Sequence, residues 1–426
     1  MPILGVIASS KLSVSPVNRT NFIATITPNT SADTGAQAVN VLSNGTIAVG
    51  TWTSQSPYGS YVALLDPTAV TVSSGREIND AGGTSYIFID SDDDLLIANG
   101  KQSEARYMRQ NSSQTIQAQV SYNMDFIQGA YHNASANTMY FSGYPLSSPY
   151  DSPVLVTSED GTIASQFALS SPSPVDMLPY GFTVSTTGNL YVVGFIKGAT
   201  RGYMASINSS YNAFNWQKEN NPNYIWTSVK LAPSNGLYAI GTGTGGTQNA
   251  IVTTSIDSSG NINWQRIFTN GAGAIGPGSQ NAIDTDSDGN IYVAGNGYFG
   301  GYSTEGFLAK YNSSGTLQWQ RKIGASASAV RFESLKVSGD DIYAVGGFNL
   351  NPSRGFIACV PTDGSLTGTY SLHGQTVTYA AASLTEAAGG FTFGNAGATI
   401  VSSSYSATTT TFTATSDTGS LTKATI

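Results

Sequence analysis

The residues best spaced for chemistry stand at Asp284, Asp286 and Asp288, followed by Gly289, in the stretch DTDSDGNIYVAG. Alternating carboxylates closed by a glycine form the front half of a calcium loop, because a hard cation needs several oxygens brought together by a sharp turn. The bidentate glutamate that completes such a loop belongs six residues after the glycine, and position 295 is a glycine instead. A second acidic run, Asp90, Asp92, Asp93 and Asp94, lacks even the turn glycine. Turn-forming residues are therefore the favoured reading of both runs, with calcium at Asp284, Asp286 and Asp288 as the alternative. Other catalytic chemistry finds little material. The only histidines, His132 and His373, belong to no metal-ligand or triad spacing, and Cys359, the sole cysteine, lies in the apolar run FIACV and reads as a buried thiol. These residues predict a protein without an enzymatic centre and without a cofactor. A carboxylate-dependent glycosidase stays open as an alternative, since the separation of two carboxylates is a three-dimensional quantity.

The element that must carry these residues repeats along the chain. A short apolar run ending in glycine occurs at Gly50, Gly100, Gly143, Gly194, Gly241, Gly295 and Gly346, with a degraded copy, FTFG, at Gly394. Each run follows a turn rich in Asn, Asp, Ser and Gly. A second pair of apolar runs follows, joined by another such turn, as in GFLAKYNSSGTLQWQRKI. Turn residues that tolerate the left-handed conformation between strand-type runs predict antiparallel hairpins, so each unit holds four strands.

A period near fifty built from strands points to a β-propeller. Runs such as IYVAG and LYVVG are apolar on both alternating faces, as expected of a strand covered by blades on either side. The expected fold is all-β, a propeller of four-stranded antiparallel blades. The eight glycines predict eight blades, with seven blades plus a C-terminal β extension as the alternative. Residues 21–426 form the propeller, closed by residues 21–35, by 411–426, or by both. Residues 1–20 depart from the repeat and are expected to act as a docking arm.

Composition narrows the function classes. A formal net charge of -8, with no run of Lys or Arg, argues against nucleic acid. No apolar stretch is long enough for a membrane-spanning helix. A set of aromatics falls in the loops after the repeated glycines: Trp52 and Tyr58, Tyr144 and Tyr150, and Tyr298, Phe299 and Tyr302. In a ring these loops emerge on one face, and Tyr or Trp among Ser, Gly and Asn suits an adaptable recognition surface.

The phrase D-x-D-G-N-I-Y-V-A-G, with its N-S-S-G-x-x-x-W continuation, resembles the bacterial β-propeller repeat family often labelled SBBP, over about residues 36–370. More distantly it is similar to quinoprotein blades. The opening M-P-I-L-G-V-I-A-S-S resembles the N-termini of virion structural proteins of marine tailed phages. The resemblances imply a non-enzymatic virion protein, tail-associated, held to other virion proteins by the N-terminal arm and contacting a host-surface glycan or protein through its loops. The alternative is an extracellular or surface-bound bacterial adhesin or lectin.

Overall fold

The structure, a computed structural model, describes residues 21–425 apart from 29–32, 55–58, 69, 79–82, 102–103, 145–150, 172–175, 198–200, 222–223, 244–249, 271–273, 279–280, 299–303, 391, 404–406, 410–413 and 417–419. The docking-arm expectation for residues 1–20 therefore lies outside the described residues.

The strands assemble into seven antiparallel sheets arranged as blades around a ring. Blade 1 is Thr34–Val41, Ile47–Thr53, Gly59–Asp66 and Thr71–Ile78, in that order from the ring axis outward. Blade 2 begins at Gly83–Ile89, blade 3 at Asp125–Asn133, blade 4 at Met177–Val184 and blade 5 at Tyr224–Leu231. The innermost strand of blade 6 is split into Ile275–Pro277 and Ile283–Thr285, and blade 7 begins at Val330–Ser338. Innermost strands of successive blades touch, including those of blades 7 and 1, so the ring is closed. Blade 7 takes three strands from residues 330–361, and its fourth is the N-terminal Phe22–Thr27, paired with Arg354–Pro361.

The expected eight blades are not formed, and neither is a separate C-terminal extension. The strand holding the eighth glycine, Thr392–Asn395, pairs with the outer strand of blade 4, Phe214–Asn221. It belongs to a belt. After blade 7 the chain lays Gln375–Ala381 on blade 6, Thr385–Ala388 on blade 5, Thr392–Asn395 on blade 4 and Thr399–Ser402 on blade 3. It continues with Ala407–Thr409 on blade 2, Ala414–Ser416 on blade 1 and Ser420–Thr425 on Phe22–Thr27 of blade 7. The tail circles the whole ring in the reverse direction, one strand per blade. The physical reason is the open edge: a fourth strand exposes a row of unpaired N–H and C=O groups, and a short strand of three to seven residues can pair with it. A strand so short cannot support a blade of its own. The belt opens with a tight hairpin, in which His373 and Gly374 both take positive φ (51° and 71°) between Leu372 and Gln375, as a two-residue turn of this hand requires.

The repeated glycine has a structural cause. Innermost strands carry a one-residue bulge at Gln37, Ser85, Gln128, Tyr180, Thr227 and Glu333, with a second in blade 3 at Phe126. In blades 3 to 7 the glycine lies opposite the strand just before that bulge or split. A Cβ at Gly143, Gly194, Gly241, Gly295 or Gly346 would collide with the carbonyl oxygen of Phe126, Leu178, Ile225, Gly276 or Arg331 respectively. Only glycine allows that close approach.

The repeated tryptophan joins one blade to the next. Trp216, Trp264 and Trp319 donate their indole N–H to Ser258, Ser313 and Thr362, at 2.9, 3.1 and 3.1 Å, each in the outer hairpin turn of the following blade. Each indole covers a turn glycine in the left-handed region, Gly260, Gly315 or Gly364, where a side chain would strike the ring. Between the blades, apolar faces merge into continuous clusters, such as Ile240, Ile251 and Phe268 of blade 5 with Ile283, Phe307 and Tyr311 of blade 6. Fully burying such side chains stabilises by about 1.5–3 kcal/mol each.

Candidate functional site

The bulged residues Gln37, Ser85, Gln128, Tyr180, Thr227 and Glu333 are each half-buried, and Gln37 and Glu333 border cavities. At the face where the second strands of the blades end, two cavities lie near the axis. The smaller, about 190 Å³, lies between blades 7 and 1 and is bordered by Gln37, Trp52, Arg331, Glu333, Phe348 and Asn349. The larger, about 740 Å³, spans blades 5 to 7 and is bordered by Thr242, Pro277, Tyr298, Thr304, Arg331 and Glu333 among others. Arg331 and Glu333 belong to both. The larger volume falls within the range of about 300–1,000 Å³ common for small-molecule sites, and the smaller does not.

Arg331 and Glu333 flank Phe332, whose backbone is pinned from blade 6. The Asn296 side chain donates from Nδ2 to the Phe332 carbonyl at 2.8 Å and accepts from the Phe332 N–H through Oδ1. Alternation along the strand then buries Phe332 while Arg331 is exposed and Glu333 half-exposed. Arg331 forms no ion pair among the described residues, whereas Arg106, Arg109, Lys197, Arg201, Arg266 and Lys322 each meet a carboxylate.

Of the aromatics expected in loops, Trp52 lies instead in the strand Ile47–Thr53, which continues past Gly50, and borders the smaller cavity, whereas Tyr298, 43% exposed, follows its strand and borders the larger. Trp52 lies flat against blade 1 because Gly35 has no side chain to strike its indole. Tyr144 goes elsewhere, to the end of the second strand of blade 3, with the Lys197 ammonium 5.8 Å from its ring centroid. Burial raises its phenol above the usual value, and Lys197 offsets only part of the rise. Tyr58, Tyr150, Phe299 and Tyr302 lie outside the described residues. Arg331 and Glu333 were not among the candidates. Their signal was present in VRFES, where two charges two residues apart alternate with the apolar Val330 and Phe332.

The calcium alternative meets a different geometry. Asp284 is buried and bridges three blades, its Oδ1 3.2 Å from Lys230 Nζ of blade 5 and its Oδ2 3.2 Å from Lys336 Nζ of blade 7. It also accepts the Val337 N–H at 2.9 Å. Asp286 instead closes its own turn, accepting the N–H groups of Asp288 and Asn290 and the Tyr292 hydroxyl. Among the described residues no group of three or more His, Cys, Asp or Glu side chains is placed to hold a metal ion. In the other acidic run Arg109 occupies the centre, 2.7 Å from Asp90 and 3.0 Å from Asp94.

Burial pushes the Asp284 carboxyl up, but the charges of Lys230 and Lys336 and the Val337 hydrogen bond outweigh it and hold the pKa at about 2. A carboxylate depressed in the folded state stabilises above its unfolded value, about 3.9, and loses that contribution as pH falls toward the folded value. With both lysines about one-third exposed, the contribution is discounted to about 1–2 kcal/mol. Asp284→Asn should therefore lower the denaturation midpoint at pH 7, and the gap from wild type should narrow between pH 4 and pH 2. A gap independent of pH would show that the carboxylate charge does not act.

The remaining catalytic side chains are committed to structure. His132 is buried with its Nε2 2.7 Å from Glu159, and His373 Nε2 lies 2.6 Å from Thr25 Oγ1. Burial and the nearby Arg354 charge lower the His373 pKa. Cys359 is buried. Among the described residues each cavity is bordered by one carboxylate, Glu333.

No protein-family model and no curated protein matches the chain. Among solved structures it is similar to the Cps50 (Swd1) beta-propeller domain of Myceliophteria thermophila, 12% identical, over 77% of this chain and 97% of that one, with a TM-score of 0.53. The fold is a β-propeller. A protein of unknown function from Bacteroides caccae, 9% identical, matches 71% of this chain and 93% of its own with a TM-score of 0.42. Similarity at this level concerns the propeller fold alone, a scaffold that hosts many unrelated functions.

Proposed function

We propose that this propeller is a non-enzymatic binding and structural component of a tailed-phage virion, mounted by residues 1–20 and meeting a host-surface molecule with the face that carries Trp52 and Tyr298. The observation that carries the binding part is the pair of cavities sharing Arg331 and Glu333 at the mouth of the ring axis. Support for the virion part is the phage-like opening of the sequence. The belt adds a feature suited to a particle surface, since it leaves only short strands at the outer edge of every blade. Glycosidase chemistry has less support, because hydrolysis of a glycosidic bond generally uses two carboxylates and among the described residues each cavity offers one.

Mass spectrometry of density-purified phage particles should recover the chain in stoichiometric amount, and a chain lacking residues 1–20 should fold but stay out of the particle. Recovery only in a bacterial surface fraction would replace the virion reading with that of a surface adhesin or lectin. Normal incorporation of the truncated chain would refute the arm.

A further inference from the structure

We propose that the larger cavity binds an acidic saccharide, with Arg331 receiving the sugar carboxylate, Tyr298 covering a ring face, and Glu333, Thr242 and Thr304 meeting hydroxyl groups. The proposal rests on the reading of this face as a binding face and names its ligand class.

The argument begins with charge. The protein carries a formal net charge of -8, yet at the mouth of the axis it holds an exposed guanidinium with no ion pair among the described residues. Its planar fork of N–H donors matches a carboxylate. Glu333, two residues away on the same strand and bordering the same cavity, selects among anions. Phosphate or a polyanionic peptide would bring two or more negative charges against that carboxylate. A ligand with a single carboxylate and several hydroxyls gives Arg331 its anion and Glu333 its hydrogen-bond donors.

The walls fit the same class. Tyr298 is exposed beside the Thr242 and Thr304 side chains, and Ile275 and Pro277 supply apolar surface. A sugar ring presents apolar C–H faces and hydroxyl edges, so it needs an aromatic or apolar wall next to polar groups. The volume of about 740 Å³ is sufficient for one or two sugar units. The site is also pre-formed, because Asn296 fixes the Phe332 backbone between Arg331 and Glu333 from both its N–H and its carbonyl. That fixing lowers the ordering cost of binding.

The test uses the full chain with two probes, methyl glucuronide and methyl glucoside, followed by ligand-observed NMR and calorimetry. The acid should bind and the neutral sugar should bind at least about tenfold more weakly, the difference expected for loss of one charge-assisted pair. Arg331→Gln should abolish that preference, and Tyr298→Ala should weaken both probes. Arg201→Gln, a surface cation on blade 4, should change neither. Equal binding of both probes, or a preference for the acid that survives Arg331→Gln, would overturn the proposal. So would absence of binding in a chain whose melting curve is unchanged. Detection of the chain in phage particles is independent of all these outcomes, so failure here and failure of the virion reading are told apart.

Discussion

A chain ending at Ala382 will fold into the same seven-bladed ring and unfold about a hundredfold faster than the full protein. This truncation removes the outer strand from blades 5, 4, 3, 2, 1 and 7 and leaves the strand on blade 6. The ring survives because the inter-blade clusters are built chiefly from the inner four strands of each blade. The tail contributes only a few apolar groups to them, such as Leu384, Ala396 and Ala398. The rate rises because the belt ties the closure. Phe22–Thr27 pairs on one side with Arg354–Pro361 and on the other with Ser420–Thr425, so the ring cannot part at blade 7 while the tail is seated. A hundredfold corresponds to about 2.7 kcal/mol of stabilisation absent from the transition state. Tryptophan fluorescence after a jump into guanidinium reads the rate, and light scattering should show faster aggregation through the uncovered edges. An unchanged rate would show that the belt only covers edges.

Gly346→Ala should destabilise by about 2–3 kcal/mol, the usual cost of forcing an atom into a filled site, while Gly347→Ala next to it should stay within about 0.5 kcal/mol. A Cβ on Gly346 would run into the Arg331 carbonyl, whereas one on Gly347 meets nothing within 4 Å. The chemical change is identical and the positions are adjacent, so denaturant midpoints of the two variants isolate the close approach. Gly346→Ala must also displace the strand that carries Arg331 and Glu333, and it should weaken any ligand held there. Equal effects of the two substitutions would remove the explanation offered for the repeated glycine.

The glycine repeat is also where sequence and structure agree most closely. IYVAG and its relatives are apolar on both faces because a blade lies on each side, and that pattern is local enough to read directly. Gly315 and Gly364 were legible as left-handed turn residues, but the indoles that cover them, Trp264 and Trp319, come from the preceding blade and were not. The acidic stretch at Asp284 shows the limit. Its spacing suggested a cation, but the partners of Asp284 are Lys230 and Lys336, about fifty residues away on either side, and no pattern within the turn announces them.

By itself the sequence determined the all-β class, the four-stranded unit, the hairpin turns and the recurrent glycine of each second strand, although the strand runs one to three residues past that glycine instead of ending there. These follow from side-chain periodicity and backbone conformation within a unit. Only the tertiary structure decided the blade number, the belt, and the meeting of Arg331, Glu333, Trp52 and Tyr298 around the axis. Strands pair through backbone N–H and C=O groups, which are the same in every residue but proline, so Thr392–Asn395 carries no label naming blade 4 as its partner. Ring closure sets which distant residues share a mouth, and that geometry exists only once all seven blades are in place.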